Sequence, residues 1–221
     1  MEGICRKLLE GTLIILVTQL LFLPRISMCD TADVCPSEDA VSLLPKPEKG
    51  EQADVEQFLR LLPVAFGLAD EVSYKLPQDT LLTWLKLIEL VPKDINVNFN
   101  KPLTKGQVSV MLVKTLLPHK GSLVERLLIS VFKSQKACFR VALREKLIPP
   151  GDVEDIVKSK ELAAIMLAVT ILTISNPLPG AKVHCIKLFG KAIVEKIIRI
   201  EEVKEILDLE DVSSIKVVLA L

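Results

Sequence analysis

Between Phe139 and Ile171 the apolar and polar positions follow a pattern that the segment from Phe189 to Leu221 repeats without a gap, at an offset of about 50 residues typical of repeat arrays. Phe139, Ala142, Glu145, Lys146 and Ile148 recur as Phe189, Ala192, Glu195, Lys196 and Ile198, and Val153, Ile156 and Ile165 recur as Val203, Ile206 and Ile215. A more diverged copy lies upstream. Leu82, Leu85, Leu90, Val91 and Pro92 align with Phe139, Ala142, Leu147, Ile148 and Pro149; beyond a slightly longer loop, Gln107, Val108, Ser109 and Met111 fall opposite Glu161, Leu162, Ala163 and Ile165. Each copy reads as helix, irregular connector, helix. The pattern predicts an all-α fold in which three helix-loop-helix repeats (81–138, 139–188 and 189–221) pack as one domain, preceded by an extra helical segment over 53–80.

The flanking stretches read differently. Arg6 and Lys7 precede an apolar run from Leu13 to Leu23 that stops at Pro24, the charge order and length of a secretory signal and short for a membrane span, so residues 1–29 are expected to direct export. Ile26, Ser27, Met28 and Cys29 resemble a lipoprotein signal, which makes Cys29 the lipidation candidate; Ser27 and Cys29 also suit ordinary cleavage. Residues 30–52, rich in Pro, Asp, Glu, Ser and Lys, are expected to form a flexible spacer, with Val41, Leu43 and Leu44 leaving open a strap laid over the domain.

Within the helical part, Asp54 with Gln57, Thr104 with Gln107 and Ser122 with Glu125 have the spacing of capping boxes. Val55, Phe58, Leu59 and Leu62 form one helical stripe ending near Pro63, and Leu81, Leu82, Leu85 and Ile88 form the next, with Trp84 beside it. Leu123, Val124, Leu127, Leu128, Val131 and Phe132 continue the helical pattern towards Phe139, either without interruption or with a break near Ser134. The stretch Leu162 to Ile174 is apolar nearly all round and too short to cross a bilayer, so it is expected to be the buried central helix, stopped by Asn176, Pro177, Pro179 and Gly180.

Composition supports a helical core: half of the 221 residues are hydrophobic, against one Trp, one Tyr and nine Gly. The 28 basic and 28 acidic side chains cancel, and the basic ones are dispersed, which argues against nucleic acid as a partner. A phosphate-binding glycine loop, a nucleophile elbow and a two-histidine metal spacing are all missing, so the chain is expected to be non-catalytic, without metal or cofactor. Asp94, Asn96 and Asn98 match the opening of a calcium loop, but Phe99 stands where the sharp turn needs Gly and Lys105 where a bidentate carboxylate is required. Cys138 and Cys185 precede the first helices of the last two repeats and are the disulfide candidates, with two buried thiols as the alternative.

Pro102, Leu103, Thr104, Lys105, Gly106 and Gln107, leading into Val108 to Leu116, resemble the Thr-Arg-Ala-Glu stretch that opens the second helix of S-layer-homology repeats. Thr104 and Glu161 keep the family's residue type, whereas Lys105, Gly106 and Gln107 replace its arginine, alanine and glutamate. The resemblance, which spans roughly 81–221, implies helix-loop-helix repeats on an exported protein. It also implies binding of an anionic cell-wall polymer, with Thr104, Lys105, Gln107, Lys160 and Glu161 as candidate binding residues. Lys105 and Lys160 are expected to be exposed and to add charge to anion sites at helix N-termini. The expected function is therefore that of an exported, non-catalytic module of the cell envelope, membrane-anchored through its signal or a lipid, or extracellular or periplasmic. Its partner would be a wall polymer or an envelope protein. The alternatives are a helical carrier of an apolar ligand, which the positive mean hydropathy suggests, and an interaction adaptor at the membrane.

Overall fold

Capping residues divide the chain where the periodicity predicts. The computed structural model describes residues 35, 37–44, 51–69, 75–95, 97–99 and 101–220, and these contain ten helices and no strand. In chain order they are α1 (Ser37–Val41), α2 (Val55–Ala65), α3 (Gln78–Leu87), α4 (Lys105–Leu116), α5 (Leu123–Ser130), α6 (Gln135–Arg144), α7 (Ser159–Ser175), α8 (Val183–Lys196), α9 (Ile200–Leu207) and α10 (Ser213–Leu219). The expected signal over 1–29 with Cys29, and residues 30–34, 36 and 45–50 of the expected spacer, lie outside the described residues. Among the described residues no helix is long and apolar enough to cross a membrane.

Three helix starts carry the reciprocal side-chain cap. The Gln57 amide donates to Asp54 at 2.6 Å, Gln107 to Thr104 at 3.3 Å and Glu125 to Ser122 at 3.2 Å, with the return bonds also made. Each satisfies donors that the first turn leaves unpaired. The pattern from Ser122 breaks rather than runs on: Lys133 takes a positive φ of 50° and Ser134 caps α6. At the other end of α2, the chain turns away at Gly67, with φ +66°. A Cβ there would lie 2.6 Å from Ile186, because the Lys182 amide donates to the Gly67 carbonyl at 2.9 Å. Glycine is thus required both by the turn and by the close approach of α8.

The core is built round α7. Leu162, Ala163, Ala164, Ile165, Met166, Leu167 and Val169 are all buried, as a helix apolar on every face must be, and α2, α8, α9 and α10 pack against it. A second group forms beside it, with α4 and α5 both on α6. Matched positions of the two best copies share a fate, for Phe139 and Phe189, Ala142 and Ala192, and Ile148 and Ile198 are buried in pairs.

The copies diverge between their helices. Before α7 the connector is a run of turns that becomes extended only around Ile156 to Lys158, whereas the corresponding stretch in the last copy winds into α9, so that copy does not reproduce the irregular connector expected of it. The extended connectors instead meet N-terminal residues. The Ala53 amide donates to Val157 O (2.9 Å), Val157 to Leu103 O (2.8 Å) and Leu103 to Ala53 O (3.1 Å), a closed ring of three hydrogen bonds. The ring joins the residues just before α2, α4 and α7. Segment 53–80 is therefore not an appendage to the array, because its first helix enters the same junction as α4 and α7.

The spacer expectation is corrected over its described part. α1 packs on α8 and α2, and Ala40, Val41 and Leu44 are buried, so the apolar cluster serves as a strap. The disulfide expectation is corrected as well. Cys185 is bonded to Cys35, with Cα atoms 5.2 Å apart, and Cys138 is a buried free thiol. The reason lies in packing: α1 lies along α8 and carries Cys35 to Cys185, while α6 holds Cys138 among α4 and α5. Burial pushes the Cys138 thiol up to about 11, which keeps it protonated and poorly nucleophilic.

Candidate functional site

The ring brings four of the five sequence-derived candidates together. Thr104 and Gln107 cap α4, and the residue between the cap and the helix body, Lys105, turns inward and is only 4% exposed. Its Nζ donates to Pro150 O at 2.7 Å and lies 3.4 Å from Asp155 Oδ2 and 3.3 Å from Glu161 Oε1. Glu161 in turn accepts from the Lys158 amide at 2.8 Å, tying the start of α7 to the start of α4. The Asp152 amide, with Lys105 adding to it, holds the Asp155 carboxyl below the usual carboxylate range.

This geometry overturns the expectation of an exposed anion site at α4. The amide of Lys105 donates to Asp155 O (2.9 Å), that of Gly106 to Val153 O (2.8 Å), and that of Gln107 to Thr104. The first donors of the helix are therefore filled by the chain's own oxygens, and the lysine beside them is already paired. Gly106 is the residue that permits it: a Cβ there would lie 2.5 Å from Val153 Cγ1 and 2.9 Å from Val153 O. An alanine there would have to displace Val153.

Lys160 belongs elsewhere. Its Nζ meets Glu202 of α9 at 2.6 Å, and that lysine holds the Glu202 carboxyl below its usual range. At this helix start the Ser159 amide and hydroxyl both donate to Glu51 O, at 3.1 Å and 2.8 Å.

Next to the ring of Ala53, Leu103 and Val157 with its Lys105 cluster, which together form an apex where α2, α4 and α7 start, a cleft of about 210 Å³ opens over Val55, Ile95, Val97, Val110 and Met111, with Gln107 at its edge. Asp94 stands at its rim between Lys114 (3.0 Å) and Lys133 (3.1 Å), and these two, Lys114 foremost, hold its carboxyl down to about 2. The carboxylate that opens the calcium-like sequence is thus occupied by lysines. A second cleft, of about 220 Å³, is walled by Leu147, Ala168, Ile171, Leu172, Leu207 and Ile215 from the loop after α6 and from α7, α9 and α10. A wider trough of about 640 Å³ runs past Leu68, Ile88, Leu178 and Trp84, whose indole packs half-buried against the core. Neither histidine is placed to ligate with a cysteine, since Cys185 is in the disulfide and both His119 and His184 are exposed.

One surface was not foreseen. The helical pattern of Leu123 to Phe132 does not say which way its stripe faces; α5 contains no buried residue, and Leu123, Val124 and Leu127, with Val131 and Phe132 after it, are exposed. Comparison with known proteins identifies no relative: no family model, no curated protein and no solved structure matches this chain.

Proposed function

We propose that this chain is an exported, non-catalytic helical module that acts at the cell envelope by offering a surface to a partner. The observation that carries the reading is the Cys35–Cys185 bridge, which closes a sequence separation of 150 residues. Such bonds persist in oxidising compartments outside the cytosol. The apolar run from Leu13 to Leu23 behind Arg6 and Lys7 agrees with it. Attachment to the membrane would come through the signal or an acyl group on Cys29. The engagement of Lys105 by Pro150, Asp155 and Glu161 favours a scaffolding role for the apex over polymer recognition there.

Cell fractionation with peptide mapping under non-reducing conditions tests this. A processed chain in the envelope fraction, yielding a linked Cys35–Cys185 peptide and an unlinked Cys138, is the expected result. An unprocessed chain in the cytosol with both cysteines reduced would refute it.

The cleft walled by Leu147, Ile171, Leu172 and Leu207 favours a second reading, a carrier of an apolar ligand. Its size, about 220 Å³, is below the ~300–1,000 Å³ usual for small-molecule sites and would admit only a small one.

A further inference from the structure

We propose that α5 and the turn after it dock onto an anionic phospholipid bilayer. Leu123, Val124, Leu127, Val131 and Phe132 are between 54% and 78% exposed, and they are contiguous. At about 100° per residue, the first four share an arc of roughly 100° on α5, and Phe132 extends it at the C-terminal end. Isolated exposed leucines need no explanation, but a contiguous apolar face does. The opposite side of the helix, where Ile129 is half-buried against the core, rests on the protein, with half-buried Leu128 at the edge of the exposed arc.

The charge around this face selects the partner. Arg126 flanks the apolar arc and Lys136 follows it, both exposed; Lys133 is exposed as well, but its ammonium is paired with Asp94 at 3.1 Å, so Arg126 and Lys136 are the cations that carry the argument. The only acid in this stretch, Glu125, is occupied by the Ser122 amide and by Arg144 at 3.2 Å. Apolar side chains ringed by cations are what an interfacial helix presents to acyl chains below and anionic headgroups around it. A second copy of the chain fits less well, because a two-fold contact would bring the same cations together with no free acid between them. A few hundred Å² of apolar surface is also well short of the ~800 Å² per partner of a standard protein interface. None of the five apolar side chains lines the cleft at the α4 start or the one along α7, and the first reaches this stretch only at Lys133 and Gln135, so the face offers apolar side chains for insertion and not a groove for a peptide.

The contact is distinct from any N-terminal attachment, and a local probe keeps the two apart. Trp84 is the sole tryptophan, so the full chain carrying Phe132→Trp reports on this site once the wild-type signal is subtracted. With vesicles of phosphatidylglycerol and phosphatidylcholine bearing brominated acyl chains, the introduced indole should shift to the blue and be quenched. Adding Arg126→Glu and Lys136→Glu should weaken partitioning at least tenfold, since each neutralised cation is worth about fivefold and reversal more. Leu127→Ser should weaken it as well, with an unchanged helical circular dichroism spectrum. An indole that stays unquenched on vesicles to which the chain is bound would overturn the proposal while leaving N-terminal attachment intact. Quenching equal on phosphatidylcholine alone, or a dimer without vesicles that is lost in Leu127→Ser, would also overturn it.

Discussion

Lys105 shows how far one side chain can be from its apparent role. Lysine at the start of a helix is ordinarily solvated, but here a carbonyl and two carboxylates surround an ammonium that is almost fully buried. Removing one member of such a group leaves the others short of a partner, which costs more than the pair itself contributes. Lys105→Gln is expected to lower the unfolding free energy by about 1–3 kcal/mol, read from the urea midpoint. Lys160→Gln, which breaks a pair whose lysine is 45% exposed, should cost under ~1 kcal/mol. Equal small effects would mean that the buried cluster is not holding the apex. The sequence places Lys105 at the helix start, but Pro150 is 45 residues away along the chain, and nothing local announces that its carbonyl will arrive there.

Helices are where the sequence is most readable, because stripes and caps are local chemistry. The boxes at Asp54, Thr104 and Ser122 and the all-apolar character of α7 follow directly from residue spacing. What joins α2 to α4 and α7 is a single extended residue before each helix, Ala53, Leu103 or Val157, and one residue carries no period to detect. The outward turn of α5 was hidden for the opposite reason, since an apolar stripe has the same spacing whether it faces a core or a partner. Gly106 is a further joint between elements, as its bare Cα lets the connector reach the first turn of α4. Gly106→Ala should destabilise by roughly 1–3 kcal/mol through forced displacement of Val153, although alanine is the better helix former. Thermal unfolding followed by circular dichroism measures the sign; a higher midpoint would show that the connector can yield.

Across the whole molecule, the disulfide fastens the first described residue to a helix far along the chain. Cys35→Ala removes a constraint on a loop of 150 residues and is expected to cost roughly 2–5 kcal/mol. Hydrogen exchange should then show α1 opening well before α7, whereas unaltered protection of α1 would mean that Ala40, Val41 and Leu44 suffice to hold it. The apex has a consequence of another kind, in the order of events during synthesis. Ala53, Leu103 and Val157 each give one bond and take one, so two of the three bonds, and with them the closure of the ring, wait until Val157 is present. Closing the first and last, roughly 100 residues apart, carries a loop-entropy cost that local helix formation cannot offset early. A chain emerging from its N-terminus therefore leaves the ring open until more than two-thirds of it has been made, and the export proposed above calls for a precursor kept pliable in this way.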